Sequence, residues 1–209
     1  GHHGIYGKGN GTFPQNMFDT SVKVPALASC PGTVPEGVIR HEQLSHYDIF
    51  PTLLEYAGVA PAPETDPPRP GRSFAPLLRG DKLSGHERIV VFHEYALVRM
   101  IRSRHWKYVH RHPFGPHELY NLEADPGEER NVVDNPAHAE QVVSMKAELD
   151  AWFLQHADPD RNGLLQPVAG TGQLNLAGSA ARGEPNFGPI MPTVSEGAVR
   201  RDMEDGRVR

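Results

Sequence analysis

Cysteine is almost missing from this sequence. A single one, Cys30, stands among 209 residues, which excludes an intrachain disulfide and any metal site built from several thiolates. Long apolar runs are missing as well. No stretch approaches the roughly 20 apolar residues that cross a bilayer, so no membrane span is expected. The first residues lack the basic segment and apolar run of a signal peptide. They also lack an initiator methionine, so an upstream part is expected. Positive charge is not in excess: the formal net charge is −5 and the pI near 6.2. No general attraction to nucleic acid follows, and no nucleic-acid partner is expected. Gly-x-Ser-x-Gly, Walker A and Rossmann patterns are absent, and so is any internal repeat. What the chain has instead is 21 Gly, 20 Pro and 12 His, with hydrophobic residues at 38%. The core is lean, and much of the chain is expected to be loop.

The first eleven residues, Gly-His-His-Gly-Ile-Tyr-Gly-Lys-Gly-Asn-Gly, concentrate two imidazoles, an ammonium and several glycines. Glycine permits close backbone approach, so a loop that presents Lys8 to an anion is expected. A mobile chain end and an expression tag are the plain alternatives, but Ile-Tyr-Gly-Lys after the His pair does not read as a tag. Residues 12–19 read as a turn or short helix. Residues 22–30 are rich in β-branched and apolar side chains and predict a mostly buried strand, with Pro25 near its beginning and a turn at Pro31-Gly32. Cys30 is then a small buried residue rather than a nucleophile.

After a polar connection at 35–43, Ser45 and Asp48 give the Ser-x-x-acid pattern of a helix N-cap. Ile49, Phe50, Leu53, Leu54 and Ala57 follow on one helical face. Pro51 divides the pattern into one turn and a second helix that carries Pro51 in its first turn, and Gly58 is the C-cap. Residues 59–72 are Pro-rich and predict a stiff, exposed crossing. A short helix ending at Gly80 follows. From residue 88 the pattern becomes β-rich. Runs at 88–95, 98–102, 106–110 and 118–121 predict an antiparallel meander, residues 125–128 a turn, and 136–156 an amphipathic helix covering one face of the sheet. From 158 to 209 the chain is Gly/Pro-rich and is expected to be extended or disordered.

His93-Glu94 falls inside a strand pattern. A structural histidine is the simple reading, and reach to a cleft at the sheet edge is the functional one. His110, His112 and His117 match no zinc spacing and are expected in a solvated loop. Arg99, Arg102, Arg104 and Lys107, interleaved with Trp106 and Tyr108, read as the polar face of a strand pair, because the acidic overall charge argues against a nucleic-acid strip.

Several stretches together resemble the sulfatases, members of the alkaline-phosphatase-like superfamily. The Gly-rich loop with Thr12-Phe13, residues 21–25 and Cys30-Pro31-Gly32 look like the stretch after that family's metal-binding Asp-His/Asn-Gly motif. Residues 45–58 are similar to its D-x-x-P-T-L-L-x-x-A-G helix, and 71–80 to its G-x-S-L-x-P-L-L-x-G segment. Lys107-Tyr108, Glu118-Leu119-Tyr120-Asn121-Leu122, Asp125-Pro126-Gly127-Glu128 and Asn131 resemble its C-terminal block. The likeness runs in order from residue 1 to about 153.

The resemblance implies an α/β fold, the C-terminal part of an alkaline-phosphatase-like sulfatase fold, ending in a small antiparallel sheet with a covering helix. Residues 1–87 would complete the large α/β domain, 88–157 would form the small subdomain, and 158–209 the tail. It implies sulfate-ester hydrolysis by a formylglycine nucleophile with a divalent cation, usually calcium. Lys8 falls on the sulfate-contacting lysine. His3 falls on a histidine of the same loop that binds substrate or transfers a proton, and His93 is a further substrate-binding candidate. His2 departs from the family, where many relatives carry an acid.

Neither Cys/Ser-x-Pro-x-Arg, which yields formylglycine, nor the metal carboxylates occur in the sequence. The expectation is therefore a C-terminal portion, with no metal ligand in this chain and no activity alone. The partners implied are a sulfated small molecule or glycan and the missing N-terminal half. The alternatives are a phosphonate monoester hydrolase or phosphodiesterase of the same superfamily, and a non-catalytic truncated remnant or partner subunit.

Overall fold

The computed structural model describes residues 16–61, 63, 65, 67–92, 98–112 and 115–158. In chain order these form α1 (Asp19–Val22), a 3-10 turn (His46–Asp48), α2 (Ile49–Tyr56) and α3 (Ala75–Leu78). Strands β1 (Ile89–Phe92), β2 (Val98–Arg102), β3 (Trp106–Arg111) and β4 (Glu118–Asn121) follow, then a 3-10 turn (Pro136–His138) and α4 (Ala139–His156). Among the described residues no helix is long and apolar enough to cross a membrane.

The strands pair antiparallel in sequence order, β1-β2-β3-β4, as short β-branched and aromatic runs with small gaps predict. Alternation sends successive side chains to opposite faces. One face carries Val90, Ile101, Tyr108 and Leu119, which pack on Met145, Leu149 and Phe153 of α4. Those three helix residues recur at intervals of four and so share one stripe. The opposite face carries Val98, Met100 and Val109, which pack on Met17. Asn131 extends the outer edge. Its side-chain oxygen accepts from the Leu119 N–H at 2.9 Å, and its amide donates to the His117 carbonyl at 3.0 Å.

The helix start at Ser45 forms as its sequence pattern predicts. The Ser45 N–H donates to Asp48 Oδ2 at 2.8 Å. Asp48 is fully buried and also accepts from the Arg72 N–H at 3.0 Å and from His86 Nε2 at 2.8 Å. One carboxylate thus ties together three segments distant in sequence. Its neighbour Tyr47 requires glycine at position 71, because a Cβ there would lie 1.9 Å from the Tyr47 carbonyl oxygen. Pro51 sits in the first turn of α2, where its missing N–H costs nothing, and Gly58 closes the helix with φ +66°.

The strand expected at 22–30 is not present. Residues 23–30 are neither helix nor strand and are exposed, Leu27 at 99%. A β-prone sequence becomes a strand only when another strand takes up its N–H and C=O groups, and no described strand pairs with it. Cys30 is likewise exposed rather than buried. The turn beyond it does form, with the Thr33 and Val34 N–H groups donating to the Cys30 carbonyl. Ile49, Phe50 and Leu53 of α2 and Ile39 are also exposed, so one side of this region presents an apolar surface.

Candidate functional site

Lys8 and His3, on the Gly-rich loop, and His93 all lie outside the described residues. The stretch that leaves this loop enters the described structure at Asn16 and meets the sheet almost at once, through a group of four charged side chains. Arg102 and Lys107 stand directly opposite each other across β2 and β3. Like charges so placed repel, and Lys107 is 0% exposed, which costs several kcal/mol unless it is paired.

The pairing comes from two carboxylates. Lys107 Nζ donates to Asp19 Oδ1 at 2.6 Å and to the Met17 carbonyl at 2.9 Å, and it pairs with the Glu128 carboxylate. Arg102 contacts both Asp19 oxygens, at 3.3 and 3.1 Å, and donates to Gln43 Oε1 at 2.7 Å. The Asp19 N–H donates to Glu128 Oε2 at 2.5 Å. Burial raises the Asp19 carboxyl, but Lys107 and Arg102 outweigh it and hold it below the usual carboxylate range. Two cations and two anions make the cluster neutral as a whole.

Glu128 reaches this place at a conformational cost. Its φ is +58°, a left-handed conformation that costs a non-glycine residue about 1–3 kcal/mol and persists where surroundings enforce it. The turn that enforces it is held by Asp125, whose carboxylate accepts from the Glu129 and Arg130 N–H groups at 3.1 and 2.8 Å. Phe18 adds an aromatic contact, 5.9 Å from the ring of Tyr120. The segment carrying Met17, Phe18 and Asp19 is thus bound across β2, β3 and β4.

Lys107 is therefore not on a polar strand face, as alternation suggested. The face it shares with Val109 is covered by residues 16–22. Arg99 is not solvated either: it is 5% exposed, with its guanidinium carbon 3.6 Å from the Phe153 ring centroid.

The three histidines expected in solvent form a packed group on the α4 side of the sheet. The His110 ring stacks on His117 with centroids 4.2 Å apart and meets His112 edge-on at 4.3 Å. Tyr108 Oη lies 2.9 Å from His110 Nδ1, and the Arg111 N–H donates to His117 Nδ1 at 3.2 Å. Burial, followed by the neighbouring imidazoles His112 and His117, pushes His110 down to about 3. Burial and then Arg99 push His112 down to about 4, and burial and Lys146 lower His117. The group is neutral near pH 7. Strand alternation gave no sign of it, because His117 joins from beyond a loop.

Among the described residues, no group of three or more His, Cys, Asp or Glu could hold a metal ion. The carboxylate pair in the ion cluster, half-buried Asp19 and buried Glu128, is already neutralised by Lys107 and Arg102, so these residues do not fit calcium. Elsewhere, a cleft of about 1040 Å³ opens between α2 and the Pro-rich crossing, lined by Tyr47, Phe50, Leu54, Arg69 and Ser73 among others.

Residues 1–155 match the family model described as N-sulphoglucosamine sulphohydrolase, C-terminal. The chain is 31% identical over 156 residues to a Delta 4,5-hexuronate-2-O-sulfatase of Bacteroides thetaiotaomicron, covering 70% of this chain and 32% of the relative. It is 32% identical over 139 residues to a choline-sulfatase of Rhizobium meliloti, covering 65% and 26%. A solved 2-O GAG sulfatase is 34% identical with a TM-score of 0.45, over 55% of this chain and 25% of that one. The chain spans about a third or less of the length of these relatives.

Proposed function

The chain belongs to the N-sulphoglucosamine sulphohydrolase C-terminal family of sulfatases, and on that premise we propose that it is the C-terminal portion of an enzyme hydrolysing sulfate esters. The observation that carries this reading is the continuity of the match. Residues 1–155 include the loop with His3 and Lys8, the helix from Ser45, the segment at 71–80 and the block around Lys107, Tyr120 and Glu128.

In this reading Lys8 contacts the sulfuryl oxygens. An ammonium fixed there stabilises charge that grows in the transition state more than it stabilises the bound ester. His3 binds the ester or handles the leaving-group proton, and His93 contacts the substrate. The substrate is a sulfated small molecule or glycan. The formylglycine nucleophile and the calcium site belong to the part of the enzyme outside residues 1–209, and the isolated chain is inactive. The exposed Ile49, Phe50 and Leu53 on α2 support this division, since a large apolar surface ordinarily faces another layer.

The test joins this chain to the upstream half and assays an aryl sulfate. Turnover is expected in the joined protein, with kcat reduced roughly 100- to 1000-fold by Lys8→Ala, the scale for losing one transition-state charge contact. Turnover by the 209-residue chain alone would overturn the division of the site. Cleavage of phosphonate monoesters or phosphodiesters without cleavage of sulfates would move the chain's chemistry to another branch of the superfamily.

A further inference from the structure

We propose that the stacked pair His110 and His117 is an acid-triggered latch: a proton on His117 releases the start of β4 from the end of β3 while the rest of the sheet stays folded. The ladder between these strands stops at Val109 and Glu118. Beyond it a side chain takes over, because the Arg111 N–H donates to His117 Nδ1 at 3.2 Å. The Arg111 carbonyl accepts from the Gly115 N–H at 3.0 Å. A ring nitrogen that accepts carries no proton, so the single proton of the neutral His117 ring is on Nε2.

Protonation fills Nδ1 and sets two donors against each other. The N–H of Arg111, a buried residue, then lacks its acceptor and bears the desolvation penalty of an unpaired donor. The other two rings behave differently. His110 Nδ1 faces Tyr108 Oη at 2.9 Å, and a hydroxyl can donate or accept, so that contact survives a proton. His112 Nε2 is buried with no hydrogen-bond partner among the described residues, so a proton there displaces no bond. His117 is where protonation reaches the backbone.

The surroundings match the new charge poorly. Lys146 and Asp150 face the rings from α4, Arg99 from β2, Arg111 and the un-ionised Tyr108 from β3, and Asp134 from the segment before α4. Glu118 stands beside them on β4. Asp150 is paired with Lys146 at 2.5 Å and Glu118 with Arg111 at 2.7 Å, which leaves Asp134 for a protonated His117. Lys146 and Arg111 oppose that cation, and the His110 ring lies stacked against it at 4.2 Å. Proteins open locally below the free energy of global unfolding, and a ladder end held by one titratable acceptor is such a place.

Amide hydrogen exchange of the 209-residue chain between pH 7 and pH 4.5, corrected for intrinsic rates, tests the latch. Protection of the Arg111 amide is expected to fall roughly 10-fold, the scale of one net hydrogen bond, in step with titration of the His117 ring followed by NMR. The amides of Ile101 in β2 and Leu149 in α4 are expected to keep their protection. His117→Asn keeps an acceptor in the place of Nδ1 but does not titrate, and is expected to hold the Arg111 amide protected across the range. Unchanged Arg111 protection in the parent chain would overturn the proposal. So would an equal fall in His117→Asn, or loss of protection at Ile101 and Leu149 together with Arg111.

Discussion

Lys107 and Asp19 meet at 2.6 Å across 88 positions of sequence. The contact joins the segment that follows the Gly-rich loop to the third strand of the meander. It belongs to the cover on the Lys107–Val109 face of β3, while α4 covers the Tyr108 face. The ammonium, the Arg102 guanidinium and two carboxylates are interdependent, so removing one leaves the rest unbalanced.

Lys107→Met without compensation is therefore expected to be severely destabilising. Asp19 and Glu128 would remain close together with one cation fewer, and breaking a buried ion pair costs about 3–5 kcal/mol. Urea unfolding measures this, and a loss below about 1 kcal/mol, the range of exposed pairs, would show that water reaches the cluster.

The imidazole group on the other face gives the fold a pH dependence. His110 and His112 titrate at about 3 and about 4 when folded, below the ordinary value of about 6.5. The unfolded chain then binds more protons throughout that interval, so stability is fully present above pH 6.5 and is lost as the pH falls toward 3. His117 acts in the same direction, with Arg99 and Lys146 adding to the effect and Asp150 opposing it. The urea midpoint is expected to drop steadily from pH 7 to pH 4, and to drop less in His110→Phe. A flat midpoint over that range would contradict the packed, neutral arrangement.

Gly71→Ala is expected to damage the region around α2. The added methyl would lie 1.9 Å from the Tyr47 carbonyl oxygen, so the Asp48 contacts with Arg72 and His86 would have to shift. Overpacking of this kind costs about 1–3 kcal/mol. Circular dichroism melting of the variant against the parent chain checks it, and an unchanged midpoint would mean that the crossing moves aside freely.

Leu149→Ala removes a side chain that is 1% exposed between α4 and the sheet. A buried Leu→Ala change costs about 2–5 kcal/mol. The neighbouring exposed change Leu154→Ala, at a residue 88% exposed, is expected to stay within about 0.5 kcal/mol. Equal effects from the two would place α4 in a different rotation on the sheet.

The four strands, α4, the two short helices and the Asp125 turn were legible in the sequence. Their determinants are local: alternation at 98–102, apolar residues from Met145 to Phe153 at intervals of four, caps at Ser45 and Gly58, and Pro51 where a first turn tolerates it. The segment at 22–30 shows the limit of that reasoning. Its residues favour extended backbone, yet extended backbone becomes a strand only beside a partner. The Gly-rich loop with Lys8 and His3 was singled out from its composition and then from motif order, and His93 from a strand pattern; all three residues lie outside the described ones.

From Ser45 to His156 the order of elements, and with it the family, could be read from short patterns along the chain. The tertiary structure decided which polar side chains are buried. Lys107, Arg99 and the three histidines have the composition of a solvated surface. Period-two alternation separates two faces without saying what covers either of them. Residues 16–22 cover one face and α4 the other, and burial then turns Lys107 into one member of a neutral ion cluster and the histidines into a neutral stack. Those outcomes depend on desolvation and on partners up to 90 positions away, and only the folded chain brings such partners together.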